Sequence, residues 1–152
     1  MHAAETGPVE AGSGAQLRIG ADLVEIERVA QLVTKYVTAE ERLFTEGERA
    51  YCRGKPRRHQ HLAARWAAKE AVGKALGTGV GGAVAWKDVE VVAESHGRPL
   101  IRLHGEASRW AERHGLTQLE VSLSHTGELA MAYVVAFVTA PPRQIDSPRL
   151  RC

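Results

Sequence analysis

One segment decides the fold of this chain: Leu62-Ala63-Ala64-Arg65-Trp66-Ala67-Ala68-Lys69-Glu70-Ala71-Val72-Gly73-Lys74-Ala75-Leu76-Gly77. Alanine and leucine favour a helix, and Gly77 stands where a C-terminal cap belongs. Apolar residues occur almost all round this helix, so we expect other elements to enclose most of its surface. The segment therefore predicts a long, central and largely buried helix.

The same helix carries charged residues that a buried element normally lacks. Glu70 and Lys74 are four residues apart and share one face of the helix. Arg65 and Lys69 are also four apart and share a neighbouring face. Buried charges are costly unless they are paired, hydrogen-bonded or bound to a metal, which makes the segment a candidate site. An ordinary helix with an exposed Glu-Lys pair explains the same pattern equally well.

An acidic residue interrupts the first predicted strand. Residues 17–24 have the pattern of a short apolar strand, and Asp22 falls where an inward-facing residue should be hydrophobic. The spacing favours Asp22 as the N-cap of the next helix, with Glu25 as its capping-box partner. The alternative is that Asp22 joins Glu70 around Mg2+, which is usually held by one or two carboxylates plus substrate phosphates.

Composition is typical of one compact domain. The chain has 152 residues, of which 44% are hydrophobic and 25% charged. The two cysteines, Cys52 and Cys152, form neither a metal-binding nor a disulfide-framework spacing, so a cytoplasmic location fits best. No segment has the length of a membrane span, and residues 1–14 lack the pattern of a signal peptide.

Charge and histidine content argue against two other classes of function. The seven histidines are scattered, which does not favour a zinc site. A nucleic-acid-binding protein using the basic loop at residues 53–58 and the arginine-containing tail remains an alternative. The net charge of +2 and the 5% aromatic content fit it poorly.

The remaining pattern predicts an α+β fold, with a mostly antiparallel sheet packed on the long central helix. We expect one domain over residues 16–138, between a disordered N-terminal extension (1–15) and a disordered C-terminal tail (139–152). The expected elements are strand 17–22, helix 25–36, a short helix opened by Thr45 and Glu48 and ending near Cys52, the helix ending at Leu76, strands 88–92 and 99–103, helix 106–114, and strands 119–124 and 129–138.

Two motifs point to a known family. Gly20-Ala21-Asp22-Leu23 and the segment from Arg65 to Gly77 resemble the signature motifs of the 4'-phosphopantetheinyl transferases, most closely the short single-domain branch of holo-(acyl-carrier-protein) synthases. Further marks of that branch follow in order at residues 75–80, 86–91, 97–99 and 122–126. Trp66 departs from the family's usual Phe. Gly73 weakens a helix, so its presence there predicts a close packing contact.

The resemblance implies a Mg2+-dependent enzyme. Such enzymes move the 4'-phosphopantetheine arm of coenzyme A onto a serine of an acyl carrier protein and release adenosine 3',5'-bisphosphate. Asp22 and Glu70 match the family's Mg2+ carboxylates, and Lys74 matches the lysine aimed at the phosphates. Glu70, directly or through a bound water, is the candidate general base. A carrier-binding module with a decayed metal site is a weaker alternative, because all three residues are present.

The resemblance also implies contacts with coenzyme A. The matched residues are Arg57, Arg65, His125, Gly77, Thr78 and Gly79. The cationic side chains would hold the 3'-phosphate and the pyrophosphate, and the glycines would let the backbone approach the ligand. Gly77 could instead be only a helix cap, and His125 only a residue at a hairpin end.

The expected partners are an acyl carrier protein and two further copies of the chain. Arg28 lies on the helix that resembles the carrier-docking helix, with Lys35 two turns further on. Apolar strands at residues 89–92 and 131–136 have too few helices to cover both faces, so we expect self-association. The resemblance specifies a homotrimer with active sites shared between subunits. Fatty-acid biosynthesis is the expected pathway, with polyketide and peptide synthesis left open.

Overall fold

The computed structural model describes residues 14–139. The expected disordered tails therefore lie outside the described residues, apart from the positions next to the domain. Ala15 and Thr139, which the sequence assigned to the tails, pair with each other at the ends of two antiparallel strands. The folded part thus reaches one residue further at each end than residues 16–138.

Helices and strands follow in mixed order along the chain. The elements are β1 (Ala15–Glu25), α1 (Ile26–Lys35), α2 (Ala39–Leu43), α3 (Glu46–Arg53), α4 (Arg58–Leu76), a 3-10 turn (Trp86–Asp88), β2 (Val89–Ala93), β3 (Pro99–Leu103), α5 (Gly105–His114), β4 (Leu116–His125) and β5 (Leu129–Thr139). The expected elements are all present. The short helix α2 was not expected, because five residues are too few to show a helical period.

The strands form two antiparallel sheets. The larger sheet has the order β1-β5-β4, and β2 pairs with β3 as a hairpin. In this register Asp22 of β1 lies opposite Ala132 of β5, well inside the sheet. The α+β fold with a mostly antiparallel sheet is confirmed.

Helix α4 is the centre of the core. Its buried apolar residues include Leu62, Ala63, Ala67, Ala68, Ala71, Val72 and Leu76. It packs against β1 at Gly20, where an added Cβ would lie 1.9 Å from the carbonyl oxygen of Ala71. Only a glycine therefore permits this approach of strand to helix.

The helix ends confirm several local predictions. Thr45 and Glu48 form the expected reciprocal capping box at the start of α3. Helix α4 ends at Gly77 with a φ of 75°, and α5 ends at Gly115 with a φ of 67°. Both glycines take the left-handed conformation that other residues adopt at a cost.

One face of the larger sheet carries exposed apolar side chains. In the register, Leu17 lies opposite Phe137, and Leu23 lies opposite Met131. The exposed apolar residues of this sheet face are Leu17, Ile19, Leu23, Met131, Tyr133 and Phe137. We call this set the apolar sheet face. Within the described residues, no helix combines the length and hydropathy needed to cross a bilayer.

Candidate active site

Asp22 and Lys74 meet where β1 crosses the last turns of α4. The Lys74 ammonium donates to Asp22 Oδ1 at 2.8 Å and to the carbonyl oxygen of Ala21 at 2.9 Å. The Asp22 side chain is mostly buried, whereas that of Lys74 is 53% exposed. The contact depends on Gly20, because its missing side chain lets the strand lie against the helix.

The interpretation of Asp22 as a helix cap is wrong. The residue that precedes α1 is Glu25, and it makes no side-chain capping bond. Asp22 lies three residues earlier, within β1, because that strand continues to Glu25. Its side chain is therefore turned to α4 rather than to the first turn of α1.

Glu70 belongs to the same group of charges. Burial raises its pKa above the ordinary value, and the nearby charge of Asp22 raises it further. The positive charges of Lys74 and Arg28 act in the opposite direction. Two carboxylates, one ammonium and one guanidinium thus gather around the surface where β1, α1 and α4 meet.

This donor set fits a magnesium ion. Asp22 and Glu70 would supply carboxylate oxygens, and a divalent cation would offset both the burial and the Asp22 charge that raise the pKa of Glu70. Within the part of the chain that the structure describes, no group of three or more His, Cys, Asp or Glu residues is arranged so that it could hold a metal ion. Asp22 and Glu70 would be two protein ligands, with phosphates and water completing the coordination, as is usual for Mg2+.

A second group of candidate side chains lines a pocket between α3, α4 and the strands. The pocket has a volume of about 470 Å³. Its polar lining residues are Tyr51, His61, Arg65, Arg98, Ser122 and His125. Two of the expected coenzyme A contacts, Arg65 and His125, therefore line the same pocket.

Arg65 is held in this pocket with unused hydrogen-bonding capacity. The residue is only 4% exposed. One guanidinium nitrogen donates to the carbonyl oxygen of His61 at 3.3 Å, whereas the buried Nε has no hydrogen-bond partner. Buried guanidinium groups are usually paired, so an anionic ligand would complete its contacts.

The electrostatic environment of the pocket favours an anion. Burial lowers the pKa of His61, and the positive charges of Arg65, Lys55 and His125 lower it further. Four basic groups thus lie within electrostatic range of one another. A phosphate would offset this repulsion and accept charge-assisted hydrogen bonds.

The loop after α4 is a third candidate region. A Cβ on Gly73 would lie 2.8 Å from a backbone atom of Gly79, so the expected close packing at Gly73 is confirmed. The amides of Thr78 and Gly79 both donate to the carbonyl oxygen of Gly73. Gly77 acts as the helix cap, and its contact with coenzyme A stays a prediction.

These groups are separated along α4. Arg65 and Lys74 are nine residues apart, which is about 14 Å of helix. Arg57 lies immediately before α4, about 25 Å of helix from Lys74. One compact site within a single chain therefore does not contain all the expected residues.

Sequence reasoning assigned no role to four polar residues of the pocket, which are Tyr51, His61, Arg98 and Ser122. Tyr51 and His61 line it from α3 and from the first half of α4, but neither lies in a recognised motif. Arg98 lies in the quoted motif at residues 97–99, although no role was given to it. It lines the pocket and pairs with Glu120 at 2.6 Å.

Comparison with known proteins decides the family. The family model described as the 4'-phosphopantetheinyl transferase superfamily matches residues 18–138. The chain belongs to this family. The matched range is the one over which the motifs were recognised, and it contains Asp22, Glu70 and Lys74.

Individual relatives agree with this assignment. A holo-[acyl-carrier-protein] synthase of Herpetosiphon aurantiacus is 46% identical over 123 residues, which cover 76% of this chain and 94% of the relative. The crystal structure of such a synthase from Neisseria meningitidis matches with a TM-score of 0.72 and 32% identity, covering 78% of this chain and 96% of that one. The Helicobacter pylori synthase, solved in complex with coenzyme A, matches with a TM-score of 0.68 and 30% identity, covering 78% and 98%.

Proposed function

We propose that this phosphopantetheinyl transferase is a holo-[acyl-carrier-protein] synthase. It transfers the 4'-phosphopantetheine group of coenzyme A to a serine of an apo acyl carrier protein, giving holo carrier protein and adenosine 3',5'-bisphosphate. The observation that carries the proposal is the group formed by Asp22, Glu70 and Lys74, whose charges suit displacement at a phosphate.

The residues of this group have separate tasks in the proposed reaction. Asp22 and Glu70 would hold Mg2+, which when bound neutralises the pyrophosphate and the charge that develops on the leaving phosphate. Lys74 is half-exposed and can exchange its contact with Asp22 for a phosphate oxygen. Glu70, directly or through a bound water, would accept the proton of the carrier's serine.

Coenzyme A would bind in the basic pocket. Arg65 and His125 would contact phosphate oxygens there, because both line the pocket and carry N–H donors. Arg57 and the loop containing Gly77, Thr78 and Gly79 are further proposed contacts. Their separation along α4 is explained if one coenzyme A contacts residues of two neighbouring subunits.

A homotrimer would supply those neighbours. The apolar sheet face is a large exposed hydrophobic surface, and such surfaces on soluble proteins commonly mark interaction sites. Association through it would bury Leu17, Ile19 and Phe137 without changing the fold of the monomer. A closed ring would place the same site at each of its three boundaries.

The carrier protein would dock beside Glu70. Arg28 and Lys35 line a groove of about 290 Å³ on α1, and Trp66 forms part of the same groove. Carrier proteins of this family are acidic helical bundles, so these cations would steer their approach. We expect the enzyme to act in the cytoplasm on a carrier of fatty-acid biosynthesis.

Mass spectrometry of an apo carrier protein tests the proposed function. Incubation with the enzyme, coenzyme A and Mg2+ should add one phosphopantetheine to the carrier, and EDTA should stop the addition. Glu70→Gln and Asp22→Asn should each abolish transfer, whereas Arg109→Gln, on the exposed surface of α5, should not. An unmodified carrier after prolonged incubation with the wild-type enzyme would refute the assignment.

A further inference from the structure

Tyr51 forms a platform for the guanidinium of Arg65. The Cζ atom of Arg65 lies 4.1 Å from the centroid of the Tyr51 ring. Tyr51 belongs to α3 and Arg65 to α4, so the contact is made between two elements and not within one helix. A guanidinium stacks well on an aromatic face, and burial strengthens the attraction.

The ring takes the place of the usual partner of a buried arginine. No carboxylate lies within ion-pair distance of Arg65 among the described residues, and its one hydrogen bond, to His61, is long. A carboxylate would neutralise the guanidinium and occupy its donors. An aromatic ring attracts the cation through its face and leaves the N–H groups at the edge free for an anion.

A second cation shares the same ring. Lys55 Nζ lies 4.8 Å from the Tyr51 centroid, and the His61 ring meets Tyr51 edge-on with centroids 5.8 Å apart. Tyr51 therefore gathers basic groups from the loop before α4 and from α4 itself. Without it, their mutual repulsion would favour other rotamers.

We propose that Tyr51 is a positioning residue for coenzyme A, which holds the Arg65 guanidinium in the orientation that binds a phosphate of the ligand. Tyr51 does not itself need to touch the phosphate. This role rests on the proposed function, because it assumes that the basic pocket binds coenzyme A.

A set of Tyr51 and Arg65 variants tests this role through direct coenzyme A binding, measured by calorimetry without the carrier. Tyr51→Leu should raise the Kd roughly 2- to 30-fold, the range that cation–π contacts of different burial span. Tyr51→Phe keeps the ring and should restore wild-type affinity. The matched control is Tyr36→Leu, which should leave the Kd unchanged. It removes a ring that lies outside the pocket and also carries a cation, Lys35 at 5.3 Å.

A double-mutant cycle separates positioning from general packing. If Tyr51 acts through Arg65, Tyr51→Leu should not weaken binding further in an Arg65→Gln background. An equal loss in both backgrounds, a Tyr51→Phe variant as weak as Tyr51→Leu, or an unchanged Kd in Tyr51→Leu would each overturn the proposal. Tyr51→Met replaces Tyr51→Leu if the latter does not fold.

Kinetic measurements distinguish an error in the proposed role of Tyr51 from an error in the proposed function of the protein. Tyr51→Leu should raise the KM for coenzyme A and leave the carrier's KM unchanged. If the proposed function is wrong, the wild-type protein itself will neither bind coenzyme A nor modify the carrier. Failure of the Tyr51 role would leave wild-type transfer intact and would appear only in the variants.

Discussion

The ammonium of Lys69 lies 2.8 Å from Glu48 Oε2, and neither side chain is exposed to solvent. Lys69 also donates to the carbonyl oxygens of Trp86 and Val89, so all three of its N–H groups are used. Glu48 accepts in turn from the amides of Thr45 and Val91. This ion pair joins α3, α4 and β2 at one fully bonded junction.

The junction predicts unequal effects of single and double substitutions. Lys69→Met should lower the free energy of unfolding by about 3–5 kcal/mol, because it leaves the Glu48 carboxylate buried and uncompensated. Glu48→Gln combined with Lys69→Met removes both charges and should recover part of that loss. Urea unfolding at one fixed protein concentration measures both. Additive losses in the double variant would contradict this account.

Glu70 should lower the stability of the fold, although the proposed reaction needs it. The folded state raises the pKa of Glu70 above its ordinary value of 4.5, so the folded protein holds this proton more tightly than the unfolded chain. Ionisation of Glu70 therefore destabilises the fold as the pH rises through the folded-state pKa. Without Mg2+, Glu70→Gln should unfold at higher urea concentration than wild type at pH 7.

Acid and metal should both change that difference. The gain should disappear as the pH falls below 4.5, where Glu70 is protonated in both states. Mg2+ should stabilise the wild type and not Glu70→Gln, because a ligand stabilises only the state that binds it. Glu112→Gln, an exposed change on α5, should show neither effect. If Glu70→Gln were less stable than wild type at pH 7 without Mg2+, burial of the ionised Glu70 carboxylate would not destabilise the fold.

Gly20 predicts a defect in both folding and catalysis. A Cβ there would lie 1.9 Å from a backbone oxygen, which cannot move as a side chain can. Gly20→Ala should cost about 3 kcal/mol or more, the upper end of the range for overpacked sites. Folded protein that remains should lose transfer, because Asp22 is displaced from Lys74.

Gly54→Ala is the matched control for this substitution. Its new methyl group would meet the Tyr51 carbonyl oxygen at 3.8 Å, an ordinary contact distance. It should therefore keep both stability and transfer. Near wild-type activity in Gly20→Ala would show that the approach of β1 to α4 is not needed for the site.

The apolar sheet face predicts an oligomer that a single charge disrupts. Ile19 is 52% exposed and lies opposite Val135 in the register. Ile19→Lys should shift sedimentation equilibrium from three times 16.5 kDa towards the monomer and reduce transfer. Val37→Lys should change neither, since Val37 is 89% exposed but lies outside the sheet. A fully active wild-type monomer would rule out the trimer.

Arg28 predicts a defect limited to the carrier protein. Arg28→Glu should raise the carrier's KM by roughly 10-fold or more at low salt, because surface charges act mainly on encounter. The KM for coenzyme A should not change. Arg109→Glu, also exposed but on α5, should leave both values unchanged. An altered coenzyme A KM with a normal carrier KM would move Arg28 to another role.

Much of the fold was predictable because its signals are local. The helical composition of α4, the capping box at Thr45 and the glycines after α4 and α5 all act within a few residues. The extent of β1 was not predictable, since its last three residues are held by pairing with a strand over a hundred residues away. That error also led to the assignment of Asp22 as a cap.

The candidate site was predictable only where a motif carries it. The spacing of the charges on α4 suggested a functional role for them. It could not distinguish Lys69, which pairs with Glu48 inside the core, from Lys74, which pairs with Asp22. That difference depends on which elements pack on each side of the helix. Tyr51 lies fourteen residues from Arg65 and meets it only through the packing of α3 on α4.

The pairing of β1 with β5 affects how the chain is made. The first described strand is hydrogen-bonded only to the last one, in the sheet order β1-β5-β4. The apolar sheet face therefore cannot form before the ribosome has synthesised β5, which begins at Leu129. Folding of this sheet must wait until β5 has been synthesised, and its many long-range contacts predict slow folding. A nascent chain that lacks β5 leaves β1 as an unpaired apolar strand, and such strands are prone to aggregation.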